Sequence, residues 1–381
     1  MECKCTAPGW CEAYKKNITG RLWEICQGVN VSPKVRDHYL AQWEAQAMRG
    51  VSSEEPVVEL ETASKIHVPK GQKCVNLHFP LCPGDTLVGT AAVECLKTQY
   101  GDRFLVSVSG TAADHIFENN PGVVKKPTDR EVTEIVMEYP LINSSNQMPV
   151  HFLEGYTRFL GSKLKINLDI TANRPYLYIS DQENGWIPQV HEVTQKSVKY
   201  WLVCSGVKND YTVKGWGHDN YQAVIDQTPW IQWVQVGENN HSHHPLRGVL
   251  DMRGKTDMRQ LIRMAYKAEG GIGGVSLLHH IFAAFSKPFV CIASGMEAPS
   301  WERYNTETYL CKGHCLPCGK DGGCWKSRVT PLDDKDPKND SLCSLPVFGG
   351  SSPIPKCMAM IDPREVVSAI RAYYEGGLLS H

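Results

Sequence analysis

Short apolar runs alternate with helical patterns twice along this chain, and that alternation limits its fold more than any other feature. VNLHFP (Val75–Pro80) reads as a buried strand, CPGDTLVG as a turn, Thr90–Gln99 as a helix and FLVSVSG (Phe104–Gly110) as a second strand. Ile135–Tyr139 continues as a strand, and Val150–Leu160 as a helix ending at Gly161. A second series begins at Tyr200. YWLVCSG is a strand, Asn220–Gln227 a helix, IQWVQVG a strand and VLDMRG a short strand or loop. KTDMRQLIRMAYKA places Met258, Leu261, Ile262 and Ala265 on one helical face; GGIGGVS, the helix LLHHIFAAF and the strand PFVCIAS follow. Strands separated by helices pair in parallel with the helices on the sheet faces, so α/β with two Rossmann-like lobes is expected. Pro175–Pro188 lies between the two series as the link. The expected domains are a cysteine-rich head and helix (34–48, ending near Gly50) over 1–72, lobes over 73–185 and 186–300, and a cysteine-bearing segment with a terminal helix over 301–381.

Composition narrows the function. The 381 residues carry 40 basic and 41 acidic side chains, a formal charge of −1, which offers no excess of cations for a nucleic-acid backbone. The 42% hydrophobic content excludes bulk disorder. No apolar run approaches the ~18 residues of a membrane span, and MECKCTAPGWCEAYKK lacks the apolar core of an export signal. A cytoplasmic location is expected.

The 15 cysteines then belong to a reducing compartment, where clustered thiols favour metal over disulfides. Cys315-x-x-Cys318 followed by Cys343 and Cys357 supplies four thiolates for one zinc or iron ion, with Cys311 and Cys324 as extra candidates. The polar loops around them have little core of their own, so a metal staple accounts for their order. Cys3, Cys5, Cys11 and Cys26 form a second four-thiol set of less diagnostic spacing. Cys74, Cys82, Cys95, Cys204 and Cys291 sit in or beside apolar runs and read as small core residues. His241, His243 and His244 read as a polar loop rather than a metal site. Asn17, Asn143 and Asn339 head glycosylation sequons, which carry no meaning in a chain that is not exported.

Three segments carry candidate chemistry. Asp85, between a strand and a helix, is either a helix cap or a general base at a strand's carboxyl end. Gly270–Ser276 before a helix offers backbone N–H groups and a helix dipole to a phosphate, although it fits neither a Walker loop nor G-x-G-x-x-G. Lys214 in VKGW is either a solvated turn residue or a point charge for a diphosphate. RGKT (Arg253–Thr256) lacks the glycine spacing of a phosphate loop and reads as a turn, with Thr256 capping the next helix.

Taken in order, Asp85 after the first strand, Lys214 in K-x-W, RGKT before a helix, and G-x-x-x-S-x-x-x-H before an apolar helix ending in Lys287–Pro288 resemble the ADP-heptose-dependent glycosyltransferases of GT-B fold. The resemblance spans roughly Leu77–Val290. The tail, with HCLPC, Cys343 and Cys357 before a terminal helix, is similar to the autotransporter heptosyltransferases and their four-cysteine iron site. It departs from the family where Val275–Ser276–Leu277 replaces Asp-Ser/Thr-Gly. The resemblance implies an inverting transfer of a sugar, ADP-heptose being one candidate donor, from a nucleotide diphosphate to an acceptor hydroxyl. Asp85 would be the base on the acceptor-side lobe. Lys214, Trp216, Thr256, Gly273, Gly274, Ser276 and His280 would contact the donor on the second lobe. No catalytic metal is expected, and a homo-oligomer is compatible with this reading. Two other classes remain open: a metal-stapled binding module that has lost catalysis, and a thiol redox or iron–sulfur protein.

Overall fold

The computed structural model describes residues 9–11, 16–18, 72–129, 131–138, 150–239, 242–322 and 324–379. The helix expected over 34–48, Cys3, Cys5, Cys26, Asn143 and His241 lie outside them. Cys11 falls in a described strand, β1 (Gly9–Cys11), which pairs antiparallel with β2 (Lys16–Ile18).

The first lobe is a parallel sheet of β3 (Lys73–Phe79), β4 (Phe104–Gly110) and β5 (Thr133–Val136), in the order β4-β3-β5. Its covering helix α1 runs Pro83–Tyr100, seven residues earlier than the sequence pattern implied. Pro83 accounts for the early start. Its fixed φ and missing N–H suit the first helical position, and Asp85 closes a capping box with Cys82. After the short helix α2 (Ala113–Ile116), α3 (Phe152–Leu164) packs against α1. It passes through Gly161 rather than ending there. A Cβ at Gly161 would lie 3.0 Å from Leu168 Cβ, so this glycine serves close packing, and Lys165 (φ 56°) makes the left-handed cap.

The link contains the short helix α4 (Asp181–Gly185), and a second, α5 (Gln189–Thr194), follows it before the second sheet. The second lobe is a six-stranded parallel sheet: β6 (Trp201–Cys204), β7 (Trp233–Gln235), β8 (Leu250–Asp251), β9 (Gly270–Gly273), β10 (Phe289–Ala293) and β11 (Glu307–Cys311). Its helices are α6 (His218–Gln227), α7 (Met258–Lys267) and α8 (Leu277–Ala284), with one-turn α9 (Pro299–Glu302) before β11. The strand order β11-β10-β9-β6-β7-β8 reverses between β6 and β9. The sheet runs past residue 300, because β11 pairs in parallel with β10. Short β12 (Pro346–Val347) and β13 (Ile354–Pro355) pair antiparallel, α10 (Lys356–Ala359) follows, and the last helix, α11 (Pro363–Glu375), packs against α6.

Two sequence readings are corrected here. Gly270–Gly273 is not a phosphate-cradling turn but a fully buried strand. A Cβ at Gly270 would stand 2.6 Å from the Trp201 ring and one at Gly271 2.8 Å from Phe282, so the glycines admit large aromatic rings against the backbone. Thr256 is not the cap of α7; Asp257 is, accepting from Gln260 N at 2.7 Å in a capping box. One apolar cluster joins the lobes, running from Leu77 and Leu87 to Ile281 and Phe289, and α1 packs directly on α8. Among the described residues no helix is long and apolar enough to cross a membrane.

Candidate active site

In an open α/β sheet the crevice for a ligand opens at the carboxyl ends of strands where the strand order reverses. In the second lobe that point lies between β6 and β9. The loop after β6 carries Lys214, and the turn after β9 carries Gly274–Ser276 into α8. In the first lobe the central strand β3 leads into Asp85. The two N-termini meet: a Cβ on Gly84 would lie 3.3 Å from His280 Cδ2 and 3.6 Å from Leu277 N. Asp85, Gly274, Ser276, His280 and Lys214 thus gather from distant parts of the chain around one cleft.

Asp85 also caps its helix, accepting from Cys82 N at 3.3 Å. The cap expected of this residue is thus present, and it fixes the carboxylate at the start of α1. Its charge reaches Lys214 and Glu302.

The Lys214 side chain is partly exposed but already paired. Its ammonium is ion-paired with the Glu297 carboxylate and sits over the Tyr211 ring at 5.7 Å. Burial by itself would pull this lysine down, but Glu297, then Glu302 and Asp85, hold it above the ordinary lysine range. Behind it, Glu302 is 4% exposed, and burial followed by the Glu297 charge pushes its carboxyl well above the usual range. His280 donates or accepts at Nδ1 with the Tyr304 hydroxyl at 3.0 Å; burial, then His279 and His151, push it well below ordinary histidine, so its ring is neutral. His279 Nε2 meets Glu307 Oε2 at 2.6 Å. Four buried polar atoms here have no hydrogen-bond partner: Ser276 Oγ, Glu297 Oε2, Glu302 Oε2 and His279 Nδ1. Buried polar groups in native proteins are almost always paired, so this concentration sets the region apart from an ordinary core.

Other expected contacts fall elsewhere. Trp216 is fully buried, donates from Nε1 to Ile361 O at 3.0 Å and meets Tyr221 edge-on at 5.0 Å, so it is a core residue of the second lobe rather than a donor contact. Thr256 follows the edge strand β8, two strands from the reversal. Gly273 ends β9 against Cys204, where a Cβ would stand 3.0 Å from the Cys204 carbonyl. Glu297, Glu302, Tyr304 and Glu307 were not singled out from sequence. Their only signal was two acidic residues soon after the apolar run PFVCIAS, and nothing local shows that β10 ends beside Lys214. His243 does belong to a polar loop, accepting at Nδ1 from Gly206 N at 3.0 Å.

The cysteines are rearranged as well. Those with described side chains are all free thiols. Cys74, Cys95 and Cys291 are buried as expected, whereas Cys82 is exposed at the start of α1. A pocket between the loops after β10 and β11 is lined by Cys318, Cys324, Cys343 and Cys357. Cys315 is exposed and does not line it, whereas Cys324, an extra candidate in the sequence, does. The reason is local: Leu316 is extended (φ −109°, ψ 150°) between two 3-10 turns, which breaks the single tight turn that C-x-x-C implied. Burial, then the other thiols nearby, pushes Cys324 and Cys343 above the ordinary range. Four thiols facing one pocket fit a thiophilic ion in their chemistry. Among the described residues, however, no three of their sulfurs lie within 4.8 Å of one another.

The fold and the cleft together are those of a two-lobed GT-B-type α/β protein. No protein-family model and no curated protein matches the chain. Among solved structures it is similar to the iron-containing dodecameric glycosyltransferase TibC from enterotoxigenic E. coli H10407, with a TM-score of 0.57 at 16% identity over 80% of this chain and 77% of that one. TibC in complex with ADP-D-beta-D-heptose gives a TM-score of 0.55 at 14% identity, with the same coverage. At these identities the likeness establishes the fold.

Proposed function

We propose that this chain is an inverting glycosyltransferase that uses a nucleoside-diphosphate sugar of the ADP-heptose type. One observation carries the reading: the cleft joins a carboxylate on one lobe, Asp85, to a cation and a helix N-terminus on the other, Lys214 and α8. Group transfer from a diphosphate needs that division of labour. Asp85 takes the acceptor hydroxyl proton as the oxygen attacks the anomeric carbon in line. The bond to the diphosphate breaks, and its charge is met by Lys214 and the α8 dipole. Glu297 holds Lys214 until the phosphates compete for it. The fold shared with TibC, an ADP-heptose-binding enzyme, favours this donor class.

Cys318, Cys324, Cys343 and Cys357 would hold a structural iron or zinc ion, which would tie the loops after β10 and β11 together. Self-assembly accords with the dodecameric neighbour.

The test is mass spectrometry of the purified chain with a panel of nucleotide sugars, alongside calorimetry with ADP and UDP. Donor hydrolysis or transfer, lost in Asp85→Asn, is expected. Absence of both turnover and nucleotide binding across the panel overturns the reading in favour of a non-catalytic module.

A further inference from the structure

Two histidines and a glutamate at the floor of the cleft are arranged unlike ordinary core residues. His279, His280 and Glu302 each place one ligand atom within 4.8 Å of the others, and all three are buried. His280 Nε2 and Glu302 Oε2 are 3.9 Å apart. Bonds of about 2.1 Å to a tetrahedral ion place neighbouring ligand atoms roughly 3.4 Å apart, so the His280–Glu302 pair at 3.9 Å has to close by about half an ångström and no pair of the set by more than about 1.4 Å.

The hydrogen bonding has the form of a ligand set rather than a satisfied core. Glu307 engages His279 at Nε2, and His279 Nδ1 is left without a partner. Tyr304 engages His280 at Nδ1, leaving Nε2 directed towards Glu302. Glu302 Oε2 has no hydrogen-bond partner. Metal-binding histidines characteristically give their second nitrogen to a carboxylate or other polar group, which fixes the tautomer and orients the ring. A cation at the start of α8 is opposed by the helix dipole. The neighbouring Glu297, Glu302 and Glu307 carboxylates outweigh it, with a single lysine among them.

We propose that His279, His280 and Glu302 form a binding site for a divalent ion of the zinc or iron(II) class, separate from the cysteine pocket. Imidazole nitrogens with one carboxylate select borderline ions over calcium or magnesium. The site does not depend on the sugar-transfer reading. If a nucleotide diphosphate is the substrate, an ion here would offset the carboxylates that surround Lys214.

The test is a titration of the full-length, chelator-treated protein with Co²⁺, followed by visible absorption and by competition with Zn²⁺. Nitrogen and oxygen ligation gives cobalt ligand-field bands without sulfur-to-metal charge transfer, whereas the cysteine pocket would give both. One equivalent of the first type is expected, weakened by at least ~10-fold in Glu302→Gln and retained in Cys343→Ser. Glu302→Gln is isosteric, and circular dichroism verifies that the fold is kept. No binding of the nitrogen–oxygen type, or binding unchanged in Glu302→Gln, overturns the site. ADP calorimetry on the same metal-free sample reads the nucleotide site separately: ADP binding there with no cobalt site would sink this proposal alone.

Discussion

Arg259 of α7 grips Glu183 of α4 through two bonds, Nε to Oε1 at 2.6 Å and Nη2 to Oε2 at 2.7 Å, with both side chains nearly buried. Asn119 of the first lobe donates to the same carboxylate at 2.8 Å, and Arg259 Nη1 reaches His115 O at 3.3 Å. Residues of both lobes and of the link thus meet at one charge pair. Asp85 and Lys214 sit on opposite lobes, which this junction, the shared apolar cluster and the packing of α1 on α8 together hold in place.

Arg259→Met is expected to destabilise the protein by about 3–5 kcal/mol, because it removes the bidentate partner of a buried carboxylate and leaves only Arg263, at 3.8 Å, to offset its charge. Arg259→Met combined with Glu183→Leu should recover most of that loss, since a buried ion pair contributes little over an apolar pair of similar volume. Urea unfolding of both variants checks this, and equal losses would show that the pair itself carries the stability.

The same pair sets an acid limit. Burial raises the Glu183 carboxyl, but Arg259 and the Ser180 cap lower it further, to about 2 from an ordinary 4.5. A carboxylate depressed on folding adds stability that is complete above its unfolded value and is lost as pH falls towards its folded one. Its contribution should fade between pH 4.5 and 2, at up to about 1.4 kcal/mol per unit. Thermal melts across this range should show a shallower pH slope in the Arg259→Met, Glu183→Leu variant than in the wild type.

Asp85→Asn is expected to keep the α1 cap, because an amide oxygen can still accept from Cys82 N, while turnover falls ~10²–10⁴-fold. Rates of donor consumption with unchanged melting temperature would support the base; wild-type rates would reduce Asp85 to a cap.

Lys214 and Glu297 should act in opposite directions on nucleotide binding. Lys214→Met removes a charge-assisted phosphate contact of about 1.5–3 kcal/mol, roughly a 10- to 150-fold loss in ADP affinity. Glu297→Gln releases the lysine and removes a nearby negative charge, so ADP should bind more tightly. Calorimetry that finds both variants weakened would place the diphosphate elsewhere.

In the cysteine pocket, Cys324→Ser and Cys343→Ser should each lower the iron or zinc content of freshly purified protein, while Cys315→Ser should not. Elemental analysis decides between the spacing-derived set and the pocket-derived one. Metal lost in Cys315→Ser but kept in Cys324→Ser would restore the former.

The alternating pattern by itself determined the two parallel sheets, because apolar runs and helical periodicity are local properties that any parallel α/β arrangement must satisfy. It also placed Asp85 and Lys214 after strands, where clefts form. What local pattern could not decide was which strand ends become neighbours. The reversal between β6 and β9 set Gly274–Ser276 beside the loop of Lys214, and pairing of β9 with β10 brought Glu297 and Glu302 to the same floor. The glycine run shows the limit most plainly. Its composition suits a phosphate turn, yet Trp201 and Phe282 press on its backbone in the middle of a sheet, and only packing across strands can specify that. The cysteine pocket differs from the spacing for a related reason: ligand spacing presumes a tight turn, and with Leu316 extended between two 3-10 turns the pocket is lined by Cys318 and Cys324 but not by Cys315.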